Sequence, residues 1–298
     1  MPVYQVIEDR VNLKEVRTVS DFVDLISLAD VDLDELEADM IQVNQEEVPI
    51  IHHFAPGIYI REARFNAGDF VIGHKHRCPH LNVMLDGKLT MANGLEVTAP
   101  TMFVGGPTRK AAVMHTDCVW LNIYATDEQD VGKIENMFME KSATAIAQEC
   151  DMVSLTNCEV LDSISDFDKM LDDIGLSRDQ VESLSACQED RVPLPWGAYK
   201  FRSAMSPIHG NGVFASAKIK AGETIGPANI AGCRTVLWYG VNHSGNPNAK
   251  MVMRGHGLDL IATRDISGNR GGRLGDEITV DYRESRREAL CLVRSLRR

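Results

Sequence analysis

No uninterrupted apolar run in this 298-residue chain approaches the ~18 residues of a membrane span. The opening stretch, MPVYQVIEDRVNLKEV, likewise lacks the apolar centre of a secretory signal. Cysteine is sparse: Cys78, Cys118, Cys150, Cys158, Cys187, Cys233 and Cys291 are odd in number, widely spread and free of any Cys-x-x-Cys pair. That spacing argues against both a disulfide frame and a zinc knuckle. Together these absences give the expectation of a cytoplasmic protein with reduced thiols. Positive charge is in deficit too, with 31 Lys and Arg against 43 Asp and Glu and a net charge of -12. Such a surface repels phosphate backbones and anionic lipid, so neither nucleic acid nor membrane is the expected partner.

What remains is a globular composition, 44% hydrophobic, long enough for about two domains. Over residues 1–45, Phe22, Leu25, Ile26, Leu33 and Leu36 recur at helical spacing among acids, predicting one or two short amphipathic helices. From 46 to 128, runs such as GIYIREARF, LNVMLDGKLTM and KAAVMHTDCVWLNIY alternate with Gly, Pro and Asn turns, the pattern of an antiparallel barrel or sandwich. Between 129 and 192 helical periodicity returns. Phe167, Met170, Leu171 and Ile174 share a face that stops at Gly175, and Ser177 to Gln180 reads as a capping box. This pair is spaced like a helix-turn-helix, but residues 151–190 hold eleven acids against Lys169 and Arg178, a balance that argues against DNA. Pro193 and Pro195 open a last domain, 193–298, in which Trp196 and Trp238 are expected as core residues. The fold class expected is mainly β with helical segments: an N-terminal β-barrel and a C-terminal β domain joined by an acidic helical linker.

His74, His76 and His80 stand at even offsets, so on a continuous strand they would share one face, as metal ligands in a barrel do. Neutral imidazoles suit Zn, Fe, Ni or Cu. The spacing Gly68-x5-His74-x-His76-x3-His80-x6-Gly87 resembles the first motif of the cupin family, with His80 where glutamate is usual. The second motif matches in part: Gly94-x5-Pro100 is present, Met102 replaces a glycine, and the last ligand histidine of the family falls near Arg109 or Lys110. His115 is expected in a turn. The resemblance implies a cupin barrel with a metal on His74, His76 and His80, and a homodimer through that barrel. The alternative is a barrel without metal, empty or holding a small anionic or sugar-like ligand.

Further along, GNGVFA (210–215), NHSGNPN (242–248), ATRDI (262–266) and DEITVDY (276–282) follow in order. Gly210-x-Gly212 permits close approach of backbone to a ligand, and Asn, Ser, Gly and Pro around His243 force a compact bend. Order, spacing and residue types resemble the SET-domain protein lysine methyltransferases over about 198–282. The resemblance implies S-adenosylmethionine as cofactor and a protein or peptide lysine as substrate. It places the cofactor against Asn242 and His243 and along the backbone of His209, Gly210, Asn211 and Gly212. Tyr282 becomes the catalytic tyrosine, also at the cofactor. Methyl transfer from a sulfonium is an in-line displacement governed by alignment and needs no metal. Lysine titrates near 10.4, so deprotonation at pH 7 costs about 4.6 kcal/mol, and a desolvating channel must lower its pKa.

The chain departs from that family at Tyr239 and Gly240, where Arg-Phe is usual, and it lacks the zinc cluster that follows the domain in some relatives. After Tyr282 come six Arg and two Glu, a basic helix in an acidic protein. Two rival readings stay open: both folds as non-catalytic scaffolds, or the barrel as a metal or small-molecule sensor governing the C-terminal domain.

Overall fold

The computed structural model describes residues 5–7, 10–12, 32–42, 45–150 and 157–296. The helix expected around Phe22, Leu25 and Ile26 lies outside the described residues. Two compact units emerge, one from Met1–Glu128, Lys133–Asp151 and Arg270–Arg273, the other from Gln129–Gly132, Met152–Asn269 and Leu274–Arg298. The acidic stretch 129–192 is therefore shared between the units instead of standing alone. Its helices have apolar faces to bury: Ala145 is buried in the first unit, Met170 and Leu171 in the second.

In chain order the first half contains β1 (Gln5–Ile7), β2 (Arg10–Asn12), α1 (Leu33–Met40), β3 (Ile50–Ala55), β4 (Ile58–Phe65), β5 (Phe70–Ile72), β6 (Lys75–His76), β7 (His80–Asp86), β8 (Lys88–Met91), β9 (Glu96–Thr98), β10 (Thr101–Gly105), β11 (Ala111–Met114), β12 (Cys118–Ala125), α2 (Val131–Phe138), β13 (Met139–Glu140) and α3 (Ala143–Cys150). Strands β10-β7-β12-β4-β3 form one antiparallel sheet of this unit and β5-β11-β8-β9 another. Both sheets are open, so the expected closed barrel gives way, among the described residues, to a double sheet. Gly73 and Pro79 interrupt the run from Phe70 to His80, the stretch that passes from one sheet to the other, and proline has no N–H for a ladder. Gly87 makes the tight β7–β8 turn at φ 97°, where a side chain would collide with Asp117 and Cys118.

Alternation along the strands sorts the interior of this unit into three cross-strand rows. Ile50, Ala63, Trp120 and Met84 lie in register as an apolar row, continued by Leu89, Val97 and Met114 from the second sheet. Two residues further along each strand comes a polar row, His52, Arg61, Asn122 and Asn82. Phe54, Tyr59 and Tyr124 make the third, aromatic row, against which His80 stacks at 5.3 Å from Tyr124.

The second half holds α4 (Asn157–Ile174), α5 (Arg178–Ala186), β14 (Gly197–Tyr199), β15 (Phe201–Met205), β16 (Asn211–Ala215), β17 (Thr224–Ile230), β18 (Cys233–Arg234), α6 (Val236–Tyr239), β19 (Asn242–His243), β20 (Ala249–Arg254), β21 (Gly257–Ala262), β22 (Glu277–Val280) and α7 (Tyr282–Leu296). Helix α4 stops at Gly175 as the periodicity predicts, and Ser177 and Gln180 form a reciprocal capping box on α5. Two four-stranded sheets follow, β15-β16-β22-β19 and β18-β17-β21-β20. All their pairings are antiparallel except β19 with β22, where Asn242 meets Thr279 and His243 meets Val280 in parallel. The basic stretch after Tyr282 is helical as expected, in α7, as far as the described residues reach. Trp196 departs from its expected core position: it is 49% exposed, in the irregular segment before β14. No described helix is long and apolar enough to cross a membrane.

Candidate functional site

The parallel pairing of β19 with β22 brings three separated motifs of the second unit to one place. The Asn242 side-chain amide donates to the carbonyls of His209 (3.1 Å) and Asn211 (3.4 Å) and to Glu277 Oε1 (2.7 Å). Ser206 Oγ also donates to Glu277, at 2.8 Å to each oxygen, and accepts from the Ile208 N–H. Glu277 is buried, and that burial raises its pKa. Gly212 is required here because a Cβ would strike the Glu277 carboxylate. Gly210 differs: at φ 53° it has nothing within 4 Å of a Cβ position, so the His209–Gly212 turn is open beside Asn242. Asn248 closes the bend by donating from Nδ2 to the Glu277 carbonyl (2.7 Å) and accepting from the Thr279 N–H (2.9 Å).

Tyr282 opens α7, separated from β22 by Asp281 alone, and turns back to the same loop. Its hydroxyl donates to the Val241 carbonyl at 2.8 Å, and its N–H donates to His243 Nδ1 at 3.2 Å. With Nδ1 accepting, the proton of a neutral His243 sits on Nε2, which donates to Asp166 Oδ2 at 3.0 Å. Burial lowers the His243 pKa, and burial with the Glu277 charge pushes the Tyr282 hydroxyl up to about 12. Tyr282 is thus a protonated donor at neutral pH.

Asp166 and Arg283 are members of this network that the sequence did not single out, and Phe167 joins it from the apolar face predicted for α4. Arg283 grips Asp166 from both terminal nitrogens, at 2.8 and 3.3 Å, and this contact holds the Asp166 carboxyl below its usual range. Ser163 Oγ donates to Ser244 Oγ at 3.1 Å. The Phe167 ring lies 5.9 Å from His243 and edge-on to Tyr282 at 6.0 Å. Asp166 is one acid among eleven in its segment, and only its place on the same helix face as Ser163 and Phe167 distinguishes it. Tyr239, the departure from the family pattern, packs its ring 4.1 Å beneath the Arg191 guanidinium, and Gly240 caps α6.

In the first unit His74, His76 and His80 are not on one strand: His74 precedes β6, His76 ends it and His80 starts β7, with Pro79 breaking the ladder between them. The His76 and His80 rings do not aim at a common point. His76 and His80 stack face to face at 3.8 Å, whereas ligands of one metal direct nitrogen lone pairs at it. His76 Nδ1 shares a 2.8 Å hydrogen bond with the Tyr124 hydroxyl. His80 faces acceptors with both nitrogens, the Cys78 carbonyl at 3.3 Å and Asn82 Oδ1 at 3.2 Å. Burial lowers the His74 pKa to about 4 and the His76 pKa to about 3, and lowers that of Lys110 as well. Among the described residues no group of three or more His, Cys, Asp or Glu is arranged to hold a metal ion. The three histidines as placed do not fit a metal. His115 lies in the turn between β11 and β12, as expected, bonded to Thr90 Oγ1 at 2.7 Å.

Neither a protein-family model nor a curated protein matches the chain. Solved structures that resemble part of it include cupin-domain proteins, a dioxygenase and KdgF. An acetylacetone dioxygenase from Acinetobacter johnsonii is 12% identical with a TM-score of 0.23, over 28% of this chain and 62% of the dioxygenase. A cupin-2 domain protein from Shewanella frigidimarina is 11% identical with a TM-score of 0.23, over 34% of this chain and 98% of its own. KdgF from a Halomonas species is 14% identical with a TM-score of 0.23, over 28% and 89% respectively.

Proposed function

We propose that the C-terminal unit is an S-adenosylmethionine-dependent protein-lysine N-methyltransferase. The observation that supports this reading is the convergence of the His209–Gly212 turn, the Asn242–His243 strand and Tyr282, from sequence positions up to 73 apart, through Asn242, Glu277 and the Tyr282 hydroxyl. The open turn at Gly210, beside an amide already fixed by two backbone carbonyls, suits the amino-acid end of the cofactor. When bound, the cofactor supplies a sulfonium methyl as the electrophile. Asn242 and His243 would hold it, and both are immobilised before it arrives. Tyr282 stays protonated and points its hydroxyl at the Val241 carbonyl, so these two oxygens can align an incoming amine without adding charge. The amine proton leaves to solvent, because a tyrosine with a raised pKa that already donates its proton is a poor base.

Labelled S-adenosylmethionine incubated with the full chain and cell lysates tests this. Wild type should transfer label to protein, Tyr282→Phe should lose about a hundredfold in rate, and Asn242→Ala should lose cofactor binding. Absence of both binding and transfer in the wild type would remove the reading. The packing of Phe167 and Asp166 on His243 favours a second one, a scaffold held shut by α4. Under it neither the wild type nor Phe167→Ala binds the cofactor or transfers label.

A further inference from the structure

In the first unit Arg61 Nε, His74 Nδ1 and Lys110 Nζ are buried nitrogens with no hydrogen-bond partner among the described residues. Buried polar groups are ordinarily paired, and charged ones almost always are, so the three mark a place built for something further. Arg61 faces inward because β4 alternates Tyr59, Arg61 and Ala63 on its buried side, with His52 and Asn122 as cross-strand neighbours. Lys110 reaches the same region because Gly105 has no side chain. A Cβ there would stand 2.8 Å from Lys110 Nζ and 3.3 Å from His80 Cε1, and closer still to the Asn82 amide. After burial and His80, Lys110 and Arg61 both act to lower the His76 pKa, so both charges lie within electrostatic reach of one imidazole. The carboxylates that face His74 are taken elsewhere: Glu135 pairs with Lys141 at 2.8 Å and Glu37 with Arg109 at 2.7 Å.

We infer that this interior binds a small dianionic oxyanion, a dicarboxylate or a phosphate, held by Arg61 and Lys110 beside the stacked Tyr124, His76 and His80. Glu135 also acts on Tyr124 but is paired with Lys141, and among the described residues Arg61 and Lys110 have no carboxylate in ion-pair contact, so two positive charges call for two negative ones. The guanidinium plane matches paired oxygens, and the ammonium adds a point charge next to Asn82. The ammonium that repels a metal cation from these histidines is the attraction for the anion.

Calorimetric titration of the full chain with malonate and, separately, with inorganic phosphate decides the matter. One anion per chain should bind with a dissociation constant below about 1 mM. Lys110→Met and Gly105→Ala should each weaken it at least about tenfold, a change of about 1.4 kcal/mol. Lys110→Arg should bind nearly as wild type. Preference for malonate identifies a carboxylate ligand, preference for phosphate a phosphorylated one. The inference is overturned if wild type binds neither anion, if Lys110→Met and Gly105→Ala bind as tightly as wild type, or if wild type holds stoichiometric zinc that His76→Ala loses. Thermal melts accompany each variant. Should Lys110→Met fail to fold, Gly105→Ala and Lys110→Arg carry the decision, since both keep a cation at 110.

Discussion

The Asn242–Glu277 cluster of the second unit and the Arg61–Lys110 region of the first bury polar groups in opposite ways. In the second, Asn242, Glu277 and Ser206 satisfy one another, and His243 uses both nitrogens, on Asp166 and on the Tyr282 N–H. In the first, Arg61, His74 and Lys110 each leave a buried nitrogen unpaired. A closed network stabilises its own geometry and pre-positions whatever lies at its rim, here the His209–Gly212 turn and the Tyr282 hydroxyl. An open network holds unmet hydrogen-bonding capacity that a ligand can complete. One unit therefore looks built around backbone positions, the other around charges.

Mutations should separate the two by sign as well as size. The largest expected effect is on Tyr282→Phe, which removes one hydroxyl from the closed network and should slow methyl transfer about a hundredfold in the labelling assay. Gly212→Ala comes next: a Cβ against the Glu277 carboxylate should cost about 2–3 kcal/mol in urea denaturation. Asp166→Asn should cost about 1–2 kcal/mol by removing a charge-assisted bond to Arg283. The folded Asp166 pKa is depressed, so its contribution is present above the ordinary value of about 3.9 and is lost as pH falls through the folded value. Denaturation curves of wild type and variant should converge in acid.

Glu277 should show the reverse dependence. Its folded pKa is raised by burial, so its contribution is present below about 4.3 and is lost as pH rises through the folded value. Wild type should therefore lose ground to Glu277→Gln as pH climbs from about 4 to neutrality. The smallest effect, and the sharpest contrast, is expected for Lys110→Met. Removing a charge that has no partner should leave the ligand-free protein unchanged or up to about 1 kcal/mol more stable. A clear loss of stability there would place Lys110 in a closed network and erase the contrast.

Strands and helix ends were legible because their causes are local. Alternation in GIYIREARF gave β4, and Ser177 with Gln180 gave the cap of α5. The cluster of Asn242, His243 and Tyr282 was legible through motif order alone. What was not legible depended on distant pairing or on one backbone break. Even spacing put the three histidines on one face only if the strand continued, and Pro79 ends that argument. Asp166 could not be told from ten other acids before α4 was docked on His243. Arg61 carried a signal that was available: it sits two residues from Tyr59 and two from Ala63 in an alternating strand, which turns it inward.

The parallel contact between β19 and β22 also sets an order of events during synthesis. Residues 242–248 leave the ribosome well before 277–282, and the loop they form has no Glu277, Thr279 or Tyr282 to bond until those residues follow. Until then Asn242 has only the upstream carbonyls of His209 and Asn211 to bond and His243 only Asp166, and the bend lacks the partners that β22 and Tyr282 supply. The complete network exists only once residue 282 has been made, so under the proposed function a nascent chain stalled earlier would be silent at this site.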